Sequence, residues 1–247
     1  MSLRLISLPV LAACLGLVPM GPAPHAATGC ATDAMLVFDG SASMAEIGFD
    51  TQAATRIMEA RDAMRRAMPE IAPYRRVGLI TYGPGPNDAC DNIDLRFAPM
   101  SDAAARVVAE VEALRPGGLT PLAESVRAAA EVLEYRKHPG LVVLVTDGNE
   151  TCGGRPCALG RELAAEARDI TVHVIGFRVV VDFFSWDSPE ADSYTQGKTV
   201  AKCLSDATGG IYVSTETVDE LAAALRETLG CPLVGWNKAP GPALPRG

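Results

Sequence analysis

Two short segments, Ala34-Met35-Leu36-Val37-Phe38 and Leu141-Val142-Val143-Leu144-Val145, are apolar without alternation. A strand with one wet face alternates, so unbroken runs of this length predict central parallel strands covered on both faces. Val77 to Tyr82 and Thr171 to Phe177 read as further strands, and the shorter Ile93 to Phe97 and Ile211 to Val213 suit sheet edges. Between them the apolar period lengthens to that of a helix. Gln52 to Met68 carries Ile57, Met58, Met64 and Met68, and Asp102 to Leu114 sets Val107, Val108, Val111 and Leu114 on one stripe behind Ser101 as N-cap. Pro121 to Tyr135 follows Thr120, a good N-cap with proline in the first turn. Ala158 to Ala167 and Val218 to Leu229 are helical too, the latter after Thr217, and Lys198 to Ala207 is closed by Gly209-Gly210.

Strands that alternate with helices imply right-handed crossovers and a doubly wound, mostly parallel α/β sheet in one domain. One connection breaks the rule. Gly83 to Asn92 is rich in Pro and Gly and too short for a helix, so the strands around it form a hairpin and one edge strand is antiparallel. The predicted domain spans residues 30–231, and the Pro- and Gly-rich remainder, 232–247, reads as a disordered tail.

The first residues stand apart. Arg4 is followed by an apolar run from Leu5 to Val18 and then by small residues and prolines up to Ala27, the pattern of an export signal over residues 1–27. Leu11-Ala12-Ala13-Cys14 also matches a lipoprotein cleavage box, but apolar residues continue past Cys14, so plain export is preferred to a lipid anchor. The expected location is therefore secreted or periplasmic. The formal charge of the 247-residue chain is −8, and loss of Arg4 makes it −9. An acidic chain without a basic run argues against nucleic acid and anionic lipid as partners. No later segment reaches membrane-spanning length, and a monomer is expected. Of seven Cys, six remain beyond Cys14: Cys30, Cys90, Cys152, Cys157, Cys203 and Cys231. An even number in an exported chain predicts three disulfides. Zinc fits poorly, because no second close Cys pair or His follows Cys152 and Cys157.

In open α/β sheets, ligand sites lie beyond the carboxyl ends of central strands. Here both central runs end in oxygen-bearing residues, Asp39-Gly40-Ser41-Ala42-Ser43 and Thr146-Asp147-Gly148-Asn149-Glu150. Thr120 adds a hydroxyl where a helix begins. Hydroxyls and carboxylates without imidazole or thiolate suit a hard cation, Mg²⁺ or Mn²⁺. The set Asp39, Ser41, Ser43, Thr120 and Asp147 resembles the metal-ion-dependent adhesion site of von Willebrand factor A domains. The stretch Asp147 to Cys152, Asp-Gly-x-Glu-Thr-Cys, is similar to exported bacterial members of that family.

The resemblance implies Ser41, Ser43 and Thr120 as direct or near-direct ligands, with Asp39 and Asp147 acting through water. A cation held mainly by neutral hydroxyls keeps much of its charge and attracts an outside carboxylate. The expected function is a divalent-cation-dependent protein-binding module, not an enzyme, whose partner protein offers an acidic residue. A metal-dependent hydrolase lacks its usual His ligands here, and a serine hydrolase lacks a Gly-x-Ser-x-Gly turn. A structural envelope protein with an inactive site is the remaining alternative. Phe183, Phe184 and Trp186 lie in a long connection and are candidate partner contacts. Glu150 reads as a solvated loop acid, Met44 as a packing residue, His173 as a core residue and His138 as a surface one. The family's usual sheet order sets the Cys90 hairpin and the Cys203 helix on opposite sides of the first strand. It thereby favours Cys90–Cys152 and Cys157–Cys203, the alternative being a local Cys152–Cys157 bridge, while Cys30–Cys231 would join the two ends of the domain.

Overall fold

The computed structural model describes residues 31–47, 54–86, 89–179, 190 and 200–231. Six strands form one sheet: β1 (Ala34–Asp39), β2 (Val77–Tyr82), β3 (Ile93–Met100), β4 (Pro139–Thr146), β5 (Asp169–Phe177) and β6 (Tyr212–Thr215), in the order β3-β2-β1-β4-β5-β6. All neighbours pair in parallel except β2 and β3, which run antiparallel as the short Gly83–Asn92 connection predicts. β1 and β4 are fully flanked and almost wholly buried, which is why their sequences need no polar face. β3 runs on past Phe97 to Met100. It carries Pro99, a residue that an edge strand accepts because its outer side needs no N–H donor.

Among the described residues six α-helices cover the sheet: α1 (Arg56–Ile71), α2 (Ala104–Ala113), α3 (Leu122–Val132), α4 (Pro156–Glu166), α5 (Lys202–Thr208) and α6 (Val218–Leu229). Alternate residues of β1 divide the core. Ala34, Leu36 and Phe38 pack with Met64, Met68, Val107 and Leu225, on the side of α1, α2 and α6. Met35 and Val37 pack with Val126, Leu159, Leu163 and Leu204, on the side of α3, α4 and α5. Each large side chain so buried contributes about 1.5–3 kcal/mol.

Several helix starts differ from the sequence-based expectation. Thr217 does cap α6: its hydroxyl accepts the N–H of Glu220, whose carboxylate accepts the N–H of Thr217. Ser101 does not cap α2. Asp102 turns left-handed (φ 52°) and α2 starts two residues later without a side-chain cap. Thr120 does not cap α3 either: Pro121 stands at the cap position without a side-chain cap bond, and Thr120 pairs with Thr151, Thr120 N donating to Thr151 Oγ1 (2.8 Å) and Thr151 N to the Thr120 carbonyl (3.1 Å). α4 begins earlier, at Pro156, and α5 later, at Lys202, ending on left-handed Gly209 (φ 73°). Residues 52 and 53 of the expected first helix lie outside the described residues.

His173 is not a full core residue. It is half-buried, its Nδ1 accepts the Ile211 N–H (3.0 Å), and burial lowers its pKa, with Arg75 adding to the effect. His138 is exposed beside Glu134, and Met44 is fully buried in the core.

Among the described residues two disulfides join the chain at the carboxyl end of the sheet. Cys90 bonds Cys152 with Cα atoms 5.7 Å apart, and Cys157 bonds Cys203 with Cα atoms 4.8 Å apart. Cys30, and with it the expected Cys30–Cys231 bond, lies outside the described residues, as do the expected leader and tail. The Cys90–Cys152 bridge closes a separation of 62 residues. Replacing both with Ser is expected to remove about 2–4 kcal/mol of stability, read by urea unfolding against the wild type. An unchanged midpoint would contradict that.

Candidate metal site

β1 and β4 lie side by side, and the chain departs from them toward opposite edges of the sheet. Their carboxyl ends therefore frame the crevice where such sheets bind ligands. Asp39 closes β1 and is fully buried. Its Oδ1 accepts the Ser41 N–H (2.8 Å), and its Oδ2 accepts the hydroxyls of Tyr82 (2.8 Å) and Thr146 (2.7 Å). Both oxygens are thus aimed by neutral donors. Tyr82 and Thr146 orient the site, and sequence reasoning did not single them out. The only available signal was their place at the carboxyl ends of β2 and β4.

After Asp39 the chain makes a 3-10 turn over Ala42–Ala45. This turn brings Ser41 Oγ to 3.0 Å from Ser43 Oγ, and Ser43 Oγ donates to Asp147 Oδ1 (2.7 Å). Asp147 directly follows β4 and is 2% exposed. The Thr120 loop is held against the same turn, since Ala42 N donates to the Gly118 carbonyl (3.2 Å) and Gly117 N to the Gly40 carbonyl (3.0 Å). Two glycines make that approach possible. Gly83 (φ 104°) and Gly118 (φ 68°) are left-handed, and a Cβ on them would lie 2.4 Å from Ser41 N and 2.0 Å from the Gly83 carbonyl oxygen respectively. Loops from three parts of the chain thus carry all five predicted residues to one pole of the sheet, where Asp39, Ser41, Ser43 and Asp147 share hydrogen bonds.

The charge at this pole is incompletely balanced. Burial, and after it the neighbouring Asp39 carboxylate, push Asp147 up to about 7, although Ser43 and Arg56 act in the opposite direction. Asn149, two residues on, holds a buried Oδ1 without a hydrogen-bond partner. Hard oxygen donors beside a desolvated, under-compensated carboxylate pair fit Mg²⁺ or Mn²⁺. Among the described residues no three His, Cys, Asp or Glu side chains converge as a metal cluster, so any cation here would rely on the hydroxyls.

Glu150 is not a solvated acid. It is fully buried, and its carboxylate accepts the N–H groups of Ala123 (2.9 Å) and Cys152 (2.8 Å) and that of Gly154. It therefore caps α3 from a distant loop, in the role expected of Thr120. Glu190 does the same for α4, accepting from Cys157 N (2.7 Å) and Ala158 N (3.1 Å). The aromatic candidates Phe183, Phe184 and Trp186 lie outside the described residues.

Residues 34–150 match the von Willebrand factor type A domain family. Over 202 residues the chain is 26% identical to the uncharacterized protein YwmD of Bacillus subtilis (strain 168), covering 78% of this chain and 83% of that protein. An aerotolerance-related membrane protein from Bacteroides fragilis superposes with a TM-score of 0.54 at 15% identity, over 80% of this chain and 98% of its own. The pilus adhesin SpaC of Lactobacillus rhamnosus GG superposes with a TM-score of 0.58 at 13% identity, over 79% of this chain and 30% of its own. At such identities the structural likeness is one of fold. The family match covers residues 34–150, and the six-stranded sheet with one antiparallel edge is the architecture expected from the sequence. Among the described residues no helix is long and apolar enough to cross a membrane.

Proposed function

We propose that the protein is an exported, divalent-cation-dependent binding module that grips an acidic residue of a partner protein. One observation carries this reading: the Ser41 and Ser43 hydroxyls, 3.0 Å apart, converge with the Asp147 carboxylate beside the buried Asp39 at the crevice between β1 and β4. Ser41, Ser43 and Thr120 would hold Mg²⁺ or Mn²⁺, with Asp39 and Asp147 behind them. Such an ion, held largely by neutral oxygens, supplies a positive centre for an outside carboxylate. Asp39 is fixed by Tyr82 and Thr146, so its charge is held in place without approaching the outer surface. Two disulfides support an oxidising compartment, in keeping with export. SpaC, which shares the fold, is a pilus adhesin, a role compatible with binding to another protein. The donor set favours binding over hydrolysis, since no imidazole or free thiolate stands in this constellation.

Mg²⁺ added to metal-stripped protein is expected to raise its stability by about 2.7 kcal/mol at a hundred times the dissociation constant. Thr120→Ala and Asp39→Asn should lose that response while staying folded. Thermal melting with and without EDTA reads both effects, and a response equal in variant and wild type would overturn the assignment.

A further inference from the structure

Arg56 opens α1 and is only 6% exposed. Its Nη1 lies 2.9 Å from the Ser43 carbonyl, 3.3 Å from Asp147 Oδ2 and 3.1 Å from Glu46 Oε2. These contacts are unequal. The Glu46 side chain is 65% exposed and water screens its pairing, whereas the Asp147 side chain is wholly buried and its pairing is not. Asp39 takes only neutral donors, and Glu59, one turn along α1, is engaged by Arg178 (2.8 Å). The buried charges that act on Asp147 are therefore the Asp39 carboxylate and the Arg56 guanidinium, while the buried Glu150 carboxylate is held by the N–H groups of Ala123 and Cys152.

We propose that Arg56 sets the charge balance of this site: it offsets Asp147, weakens the protein's own hold on a divalent cation, and leaves the bound cation more positive toward an outside anion. The inference rests on the metal-binding reading above and adds to it the residue that tunes the site. With two carboxylates alone, a divalent ion would be neutralised and would attract an outside carboxylate weakly. With Arg56 present, one positive charge is left over. Cation binding and anion binding then reinforce each other, and each must raise the affinity for the other by the same factor.

Calorimetric titration of Mg²⁺ into metal-stripped wild type, Arg56→Gln and Arg56→Lys tests this, in sodium chloride and in sodium acetate of equal ionic strength. Arg56→Gln is expected to bind Mg²⁺ at least about tenfold more tightly, since a nearby like charge has been removed. Arg56→Lys, which keeps the charge, should stay within about threefold of wild type. Acetate should raise the apparent Mg²⁺ affinity of the wild type more than that of Arg56→Gln. A folded Arg56→Gln protein with equal or weaker affinity overturns the charge-balance role while leaving the metal site intact. So does a tenfold tightening in Arg56→Lys, which also decides the matter should the Gln variant not fold. Binding of Mg²⁺ to Arg56→Gln alone supports the role. Binding to neither protein overturns the metal site and this inference together.

Discussion

Replacement of Glu150 by Ala is expected to destabilise the domain by about 5 kcal/mol, from three buried backbone donors losing their acceptor at about 1–3 kcal/mol each. Ala123 N, Cys152 N and Gly154 N all donate to this carboxylate, which is wholly removed from solvent. A single domain has roughly 5–15 kcal/mol in total, so the variant should be at the edge of folding. Glu150→Gln retains one oxygen but turns an NH₂ group toward an N–H donor, and should fall between the two. Urea unfolding of metal-free protein measures both. A loss below about 1 kcal/mol for the Ala variant would mean that the loop closes over water and that the buried cap is dispensable.

The second large effect concerns pH. Asp147 titrates near 3.8 in an ordinary setting and is pushed up to about 7 in the folded chain, by burial first and by Asp39 next. Between those values the unfolded chain has released a proton that the folded one still holds. Raising the pH through this window therefore favours the unfolded state. At about 1.36 kcal/mol per unit, the metal-free protein should lose on the order of 4 kcal/mol between pH 4 and pH 7 through this residue. The contribution is fully favourable below the unfolded value and gone above the folded one. Asp147→Asn removes it, so wild type and variant should converge at low pH and separate toward neutrality. Parallel stability profiles from pH 4 to pH 7 would show that Asp147 is charged throughout. Mg²⁺ should flatten the wild-type slope, because a bound cation favours the ionised carboxylate.

Strand identity and the central place of β1 and β4 could be read from the chain because both are covered on both faces, and a doubly covered strand has nowhere to put a polar side chain. The antiparallel edge was legible from the length of one connection. Four of the five candidate residues, Asp39, Ser41, Ser43 and Asp147, could be named because their oxygens follow the carboxyl ends of those central strands, and Thr120 because it opens a helix and completes the set that the resemblance implies. What could not be read is how distant groups serve one another. Glu150 looks like any loop acid until α3 is placed above it, and Glu190 looks the same until α4 is. Helix starts at α2 and α3 were misread for a related reason. A Ser or Thr before a helix is a cap only if its hydroxyl reaches a free N–H of the first turn; Asp102 turns left-handed after Ser101, and the Glu150 carboxylate takes the Ala123 N–H at the start of α3. Tyr82 and Arg56 escaped notice because their roles depend on a partner far along the chain, Asp39 and Asp147 respectively.

Cys152 and Cys157 are five residues apart in sequence, yet their bridges lead in opposite directions, one to Cys90 beside β3 and the other to Cys203 on α5. The short segment between them is consequently a covalent strap across the crown of the sheet, anchored on both flanks. Separation of the two flanks from the strap is limited by these bridges. Amide protons beneath the strap are expected to exchange more slowly than those of the edge strand β3, which pairs on one side alone.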